Sequence, residues 1–337
     1  MATQPHINPN LKRKKEVVDV KQLFSELHSG QVSALSRAIT LVESTAGGDS
    51  AFAKAVLQLS LPYSGKSFRL GITGVPGVGK STFIESLGRQ LIERGKKVAV
   101  LAIDPSSNIS RGSILGDKTR MEELVKSHQA FIRPSPAGTT LGGVARKTRE
   151  AIILCEAAGY DFIIVETVGV GQSETAVHSM TDFFLLLKLA GAGDDLQGIK
   201  RGIMEMADAI IINKADGDNQ LAAKHARREF KNAVHLMPQK DHNWPTQVLT
   251  CSGLNNIGLT EVIEEIENYT AHALANKSFT KKRHSQELYW FHQTVEDALK
   301  TNFYNRPEVI EKLAVLEKEV LGKVKSPFDA ASELLGL

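Results

Sequence analysis

The stretch Gly74-Val75-Pro76-Gly77-Val78-Gly79-Lys80-Ser81-Thr82 constrains this chain more than any other. It matches G-x-x-x-x-G-K-[ST] in full and lies between an apolar run, residues 68–73, and a helical stretch, residues 81–94. The order is therefore strand, phosphate loop, helix. Glycines let consecutive backbone N–H groups face a phosphate, the helix N-terminus adds a favourable dipole, and Lys80 sets a fixed positive charge beside the β- and γ-phosphates. Ser81 would offer its hydroxyl to Mg²⁺.

The surrounding pattern fits that loop. From Phe68 to about Ile266 short β-rich runs alternate with helical stretches, which predicts an α/β fold: a mostly parallel P-loop NTPase sheet flanked by helices. Strands are expected at residues 68–73, 97–103, 130–133, 162–166, 183–189, 209–213 and 247–250, and their largely apolar runs suit burial on both faces. Before them, Val20, Leu23, Phe24 and Leu27, then Leu35, Ile39 and Val42, recur at helical spacing. The expected organisation is a tail and helical extension at 1–66, a nucleotide-binding domain at 67–280, and a helical arm at 281–337. Two stripes mark the arm, Leu288, Phe291, Val295, Leu299 and then Val309, Leu313, Leu316, Val320, with Pro307 suited to a first helical turn. They pack either on the core domain or against a second subunit.

Further carboxylates follow at strand ends. The run 162–165 ends in Glu166, a Walker B-like position for a metal acid, with glutamate in place of the commoner aspartate. Asp104 closes the run 98–103, at the carboxyl end of a strand where ligands of open α/β sheets bind, and would hold Mg²⁺ through water or orient the attacking water. The catalytic candidates are thus Lys80, Asp104 and Glu166.

Base choice is carried by Asn213-Lys214-Ala215-Asp216, an N-K-x-D motif ending another expected strand. The Asp216 carboxylate can accept two hydrogen bonds from guanine's ring N–H and exocyclic amine, a donor pair that adenine lacks. Lys214 would lie along the base, Asn213 would brace the loop, and Ser252, Gly253 and Leu254 would bring backbone N–H groups to the guanine oxygen. GTP or GDP is the expected nucleotide.

Composition narrows the setting. With 42% apolar and 23% charged residues and a formal charge of +3, the chain lacks the basic footprint of a nucleic-acid binder. Lys12-Arg13-Lys14-Lys15 reads as a solvated tail. Cys155 and Cys251 stand outside any metal or disulfide spacing and read as reduced structural thiols. No run approaches a membrane span and no signal-peptide layout is present, so a soluble cytoplasmic protein without membrane partners is expected.

With those motifs in hand, the chain resembles the MeaB/ArgK family of P-loop GTPases, which attend adenosylcobalamin-dependent acyl-CoA mutases, especially methylmalonyl-CoA mutase, and include the human methylmalonic aciduria type A protein. The likeness runs over residues 20–321 and includes 74–82, 104–112, Gly116-Asp117-Lys118-Thr119-Arg120-Met121, Arg133-Pro134-Ser135-Pro136, 166–174 and Gly191-Ala192-Gly193-Asp194-Asp195-Leu196-Gln197. The resemblance implies a Mg²⁺ environment of Ser81, Asp104, Asp117 and Glu166, an extra switch at 188–204, a C-terminal arm that forms a homodimer, and a GTPase chaperone that gates cofactor loading and protects the mutase. One departure is Asp195, where the family is expected to carry glutamate.

Loops at 104–118, 167–175 and 190–200 are rich in Gly and Ser and are expected to order on GTP. Gln172 is a water-orienting candidate, though a polar loop residue describes it better. Two rival readings are a metal-handling maturation GTPase, which wants clustered Cys and His, and a P-loop kinase. The ten histidines are scattered, and no protein-kinase catalytic loop is present.

Overall fold

The computed structural model describes residues 19–44, 48–103, 121–134, 141–167, 173–191, 201–238, 240 and 242–336. Seven strands form one parallel sheet in the order β3-β2-β4-β1-β5-β6-β7. They are β1 (Phe68–Gly74), β2 (Val98–Ile103), β3 (Ala130–Arg133), β4 (Phe162–Thr167), β5 (Phe183–Leu189), β6 (Ala209–Asn213) and β7 (Gln247–Thr250). Each expected strand is present with its ends within one residue. The strands β2 and β4 are buried throughout, as continuous apolar runs between two helical layers must be.

Alternation along each strand divides the core. Ala99, Leu101 and Ile103 of β2, with Ile163 and Val165 of β4, join one cluster, whereas Val98, Val100 and Ile164 join the other. The first cluster is completed by α1 (Val20–His28), α2 (Val32–Glu43), α3 (Ser50–Ser60) and, across the strand β3, α6 (Leu141–Ala157), the short α5 (Glu122–Lys126) lying between β2 and β3. The N-terminal helices pack on one another and on α6, extending the helical layer on this face of the sheet. Asp19 starts α1 by accepting hydrogen bonds from the Lys21 and Gln22 amides at 2.9 and 3.1 Å. The second cluster is covered by α4 (Lys80–Glu93) and α10 (Leu259–Ala275). A third, smaller cluster packs α9 (Gln220–His235) on β6 and β7. Two short helices, α7 (Ser173–His178) and α8 (Arg201–Met206), precede β5 and β6 respectively.

Beyond the sheet come α11 (Ser278–Tyr304), α12 (Pro307–Leu321) and a third helix, α13 (Pro327–Leu335), which the two-stripe reading does not anticipate. Its Ser326 cap accepts from the Asp329 amide at 3.1 Å, and Pro327 occupies the first turn. The base of α11 is tethered to the amino ends of the strands. Arg283 donates to both carboxylate oxygens of Asp182, at 2.8 and 2.6 Å, and to the Gly65 and Ser67 carbonyls. Farther along, Leu288, Phe291, Val295 and Leu299 are 41–63% exposed, so this stripe does not pack on the core.

Candidate functional site

At the carboxyl ends of the strands, the segments singled out in the sequence meet. Gly74 ends β1, and the loop turns back through a Val78 N–H to Val75 C=O hydrogen bond of 3.2 Å before α4 begins at Lys80. Val78 is buried beneath the loop while Pro76 and Gly77 face solvent, Ser81 is half-buried and Thr82 exposed. Gly79 has φ +90°, and a Cβ there would stand 2.9 Å from Asn213 Nδ2, so both backbone angle and space demand glycine.

Lys80 folds onto its own loop, donating to the Gly74 carbonyl at 2.7 Å. Burial pushes its ammonium below the ordinary lysine range, opposed by the negative charges of Glu166 and Glu174. A partly desolvated cation beside the loop is a ready partner for phosphate oxygens. Glu166 is 4% exposed on β4, paired in register with Ile72 of β1. The next residue, Thr167, stands 2.9 Å from Thr73, hydroxyl to hydroxyl, joining the ends of β4 and β1 directly under the phosphate loop. Of the acids expected around a metal, Asp104 and Asp117 lie outside the described residues, as do Gln172 and Asp195.

Asn213 is the junction of the site. Its Nδ2 donates to the Val78 carbonyl at 2.8 Å, and its Oδ1 accepts from the Gly253 N–H at 3.2 Å and the Cys251 thiol at 3.8 Å. One amide thus links the phosphate loop, the end of β6 and the turn after β7. Lys214 follows at φ +57°, a left-handed conformation unusual for a side-chain-bearing residue, and its Cε lies 3.7 Å from where a Gly79 Cβ would be. Its aliphatic stem therefore runs over the phosphate loop. Asp216 accepts a hydrogen bond from the Ser252 hydroxyl, which also caps the Asn255 N–H at 3.1 Å. Ser252 and Ile257 close this turn with paired backbone hydrogen bonds of 2.9 and 3.1 Å, leaving Leu254 74% exposed.

Sequence reasoning missed the groups that hold these motifs together. Ser86 of α4 donates to the Gly253 carbonyl at 2.6 Å, and a Cβ on Gly253 would meet the Phe83 Cα at 2.9 Å. Neither Ser86 nor Phe83 carries a motif signal. Glu174 was legible only as part of the stretch 166–174; the structure buries it on α7 within the field of Lys80. Among the described residues no three His, Cys, Asp or Glu side chains gather as a metal cluster. Both thiols are buried; desolvation pushes Cys155 up, and pushes Cys251 up to about 12 with help from Glu261 and Asp216.

The sequence profile of the family described as "Methylmalonyl Co-A mutase-associated GTPase MeaB" matches residues 35–308. A "Putative GTPase" of Caulobacter vibrioides is 48% identical over 94% of this chain and 97% of its own. The "GTPase ArgK" of Escherichia coli is 48% identical, covering 83% and 85%, and the mouse "Methylmalonic aciduria type A homolog, mitochondrial" is 44% identical, covering 95% and 80%. The crystal structure of a "LAO/AO transport system kinase" superposes with a TM-score of 0.75 at 36% identity, covering 94% of this chain and 96% of that one.

Proposed function

This chain belongs to the MeaB family of methylmalonyl Co-A mutase-associated GTPases, and on that premise we propose that it is a Mg²⁺-dependent GTP switch that serves an adenosylcobalamin-dependent acyl-CoA mutase, gating cofactor loading and protecting the enzyme. Hydrolysis of GTP to GDP and phosphate is the family's chemistry. The observation that carries the reading is the Asn213 junction, because it makes the phosphate loop and the guanine motif one rigid unit.

In this reading Lys80 exchanges the Gly74 carbonyl for the β- and γ-phosphate oxygens, so its ammonium has an acceptor throughout. Residues 74–82 wrap the phosphates with backbone N–H groups, and Asp216 takes the guanine donors while Ser252 holds the carboxylate in place. Ser81 and Glu166 are hard oxygen donors of the kind Mg²⁺ prefers, with Asp104 and Asp117 proposed to complete the set. The metal, when bound, would neutralise charge on the phosphate oxygens. Lys80, Asp104 and Glu166 stay the proposed catalytic group. The exposed stripe on α11 supports a homodimer through the C-terminal arm.

The test mixes the full chain with candidate cobalamin mutases, apo and holo, and measures GTP turnover. Stimulation by one mutase is expected. Turnover unchanged by all of them sinks the chaperone reading and leaves the GTPase standing, whereas transfer of phosphate to an acceptor other than water would favour a kinase.

A further inference from the structure

At the opposite end of the sheet from the nucleotide residues, by the amino ends of β5 and β6, lies a cavity of about 540 Å³. That size is within the range of small-molecule pockets. Met206 of α8, Tyr269 of α10 and Tyr289 of α11 give it apolar wall.

Its charges are unevenly matched. Asp208 is buried and lies 3.2 Å from Lys240 Nζ, 3.4 Å from His242 Nε2 and 3.6 Å from Lys282 Nζ. Lys240 is committed to structure, donating also to the Ala207 and Met206 carbonyls. Lys282 donates to the Asp182 carbonyl at 2.6 Å, and Lys281 beside it pairs with no acid among the described residues. Glu205 is the other acid on the lining. Three lysines therefore face two carboxylates, and the surplus positive charge sits at the α11 side.

Two further polar side chains line the wall, Gln286 and His178. Gln286 is 6% exposed and lines the cavity; its Nε2 donates to the Thr181 carbonyl at 2.8 Å and the His178 carbonyl at 3.4 Å, which fixes the amide and leaves Oε1 buried without a donor. A buried acceptor with no partner is a costly feature in an otherwise satisfied fold. Next to it, the His178 ring hydrogen-bonds no described residue; burial, reinforced by Lys282, lowers its pKa to about 4, so at neutral pH it presents one N–H and one lone pair.

We propose that this cavity is an effector site for a small organic anion, a carboxylate or phosphate ester, whose charge meets Lys281 and Lys282 and whose oxygens accept from the His178 ring N–H. The site is wired to the nucleotide by α7. Glu174 near the start of that helix lies within the electrostatic field of Lys80, and His178 at its end lines the cavity, so one six-residue helix runs between them. Occupancy of the cavity biases the position of α7 and thereby the nucleotide state. This coupling rests on the GTPase reading; binding itself does not.

The experiment titrates the full chain calorimetrically with N-acetylleucine, as carboxylate probe, and glycerol 3-phosphate, as phosphate probe. Each titration is repeated nucleotide-free, with GDP and with a non-hydrolysable GTP analogue. Saturable binding of one probe at one site per chain is expected, and which probe binds identifies the anion. K281A, an exposed change, weakens it about threefold. G202L is the blocking variant: Gly202 of α8 lines the cavity, and a Cβ there meets nothing within 4 Å, so a larger side chain can be introduced at the cavity wall. It abolishes probe binding while thermal unfolding and GDP affinity stay unchanged. Affinity for the probe differs about fivefold between the GDP and GTP-analogue forms. No saturable binding of either probe, or equal binding by G202L, overturns the site; equal affinity in the two nucleotide forms overturns the effector role. Failure to bind guanine nucleotide would remove the GTPase reading while the nucleotide-free titration still decides the cavity.

Discussion

Replacing Asn213 with alanine deletes its hydrogen bonds to Val78 and Gly253 together, and leaves two buried backbone groups without partners. The expected loss of stability is about 3 kcal/mol, seen as a lower urea midpoint with unchanged slope. GDP affinity falls as well, because the phosphate loop and the guanine turn are then positioned independently. Unchanged GDP affinity in a folded Asn213→Ala protein would show that the junction is structural only. His178 makes a different kind of prediction. Its folded pKa of about 4 lies below the ordinary 6.5, so the unfolded chain binds a proton more readily. The stability it contributes is present above pH 6.5 and is lost as pH falls toward 4, by about 3 kcal/mol. Asp208 acts in the same direction at still lower pH: burial raises its pKa, but Lys282, His242 and Lys240 outweigh that and hold it well below the carboxylate range. Unfolding free energy measured against pH should therefore slope down below pH 6.5, and His178→Gln should flatten the 6.5 to 4 segment.

At the level of elements, the amino ends of the strands are held by buried ion pairs. Glu156 of α6 accepts from Arg69 of β1 at 2.9 and 3.0 Å, from the Ser67 hydroxyl at 2.5 Å and from the Gly65 N–H at 2.6 Å, with the Arg69 and Glu156 side chains only 4% and 1% exposed. Glu156→Ala leaves the guanidinium buried and uncompensated, and should cost about 4 kcal/mol. The double change to methionine at Arg69 and Glu156 should cost less than that single change, because no charge is then stranded. Chemical denaturation of the three proteins decides it. The tether matters beyond stability, since Arg283 and Asp182 continue it into α11 and set the direction in which the C-terminal arm leaves the sheet.

The whole molecule ends in an arm whose apolar stripe faces solvent. Leu288, Phe291 and Leu299 are 61–63% exposed on one helical face, an apolar patch of the kind that marks an interaction surface. If the arm forms the proposed homodimer, Leu288→Glu with Phe291→Glu converts it to monomers in light scattering after gel filtration, with nucleotide affinity preserved because the stripe is remote from the strand ends that carry the site. A wild-type protein that is monomeric at high concentration would rule the dimer out.

How much was legible follows from the range of each interaction. The five inner strands were readable because a strand buried on both faces must be a nearly unbroken apolar run, the short, half-buried edge strands β3 and β7 by their place in the strand–helix alternation, and the phosphate and guanine motifs because each packs its chemistry into a few consecutive residues. Local sequence also set the caps, such as Asp19 and Ser326. What needed the tertiary structure were the contacts between residues far apart in the chain: Asn213 with Val78, Ser86 with Gly253, Thr73 with Thr167, and Gln286 with Thr181. The helix α13 escaped because it is short and its one buried residue, Ala330, makes no stripe. By itself the sequence determined a parallel sheet carrying a guanine-nucleotide site. Only the fold decided how that site is braced, which arm face stays bare, and that a charged cavity shares a helix with it, because those properties depend on strand order, which no local pattern encodes.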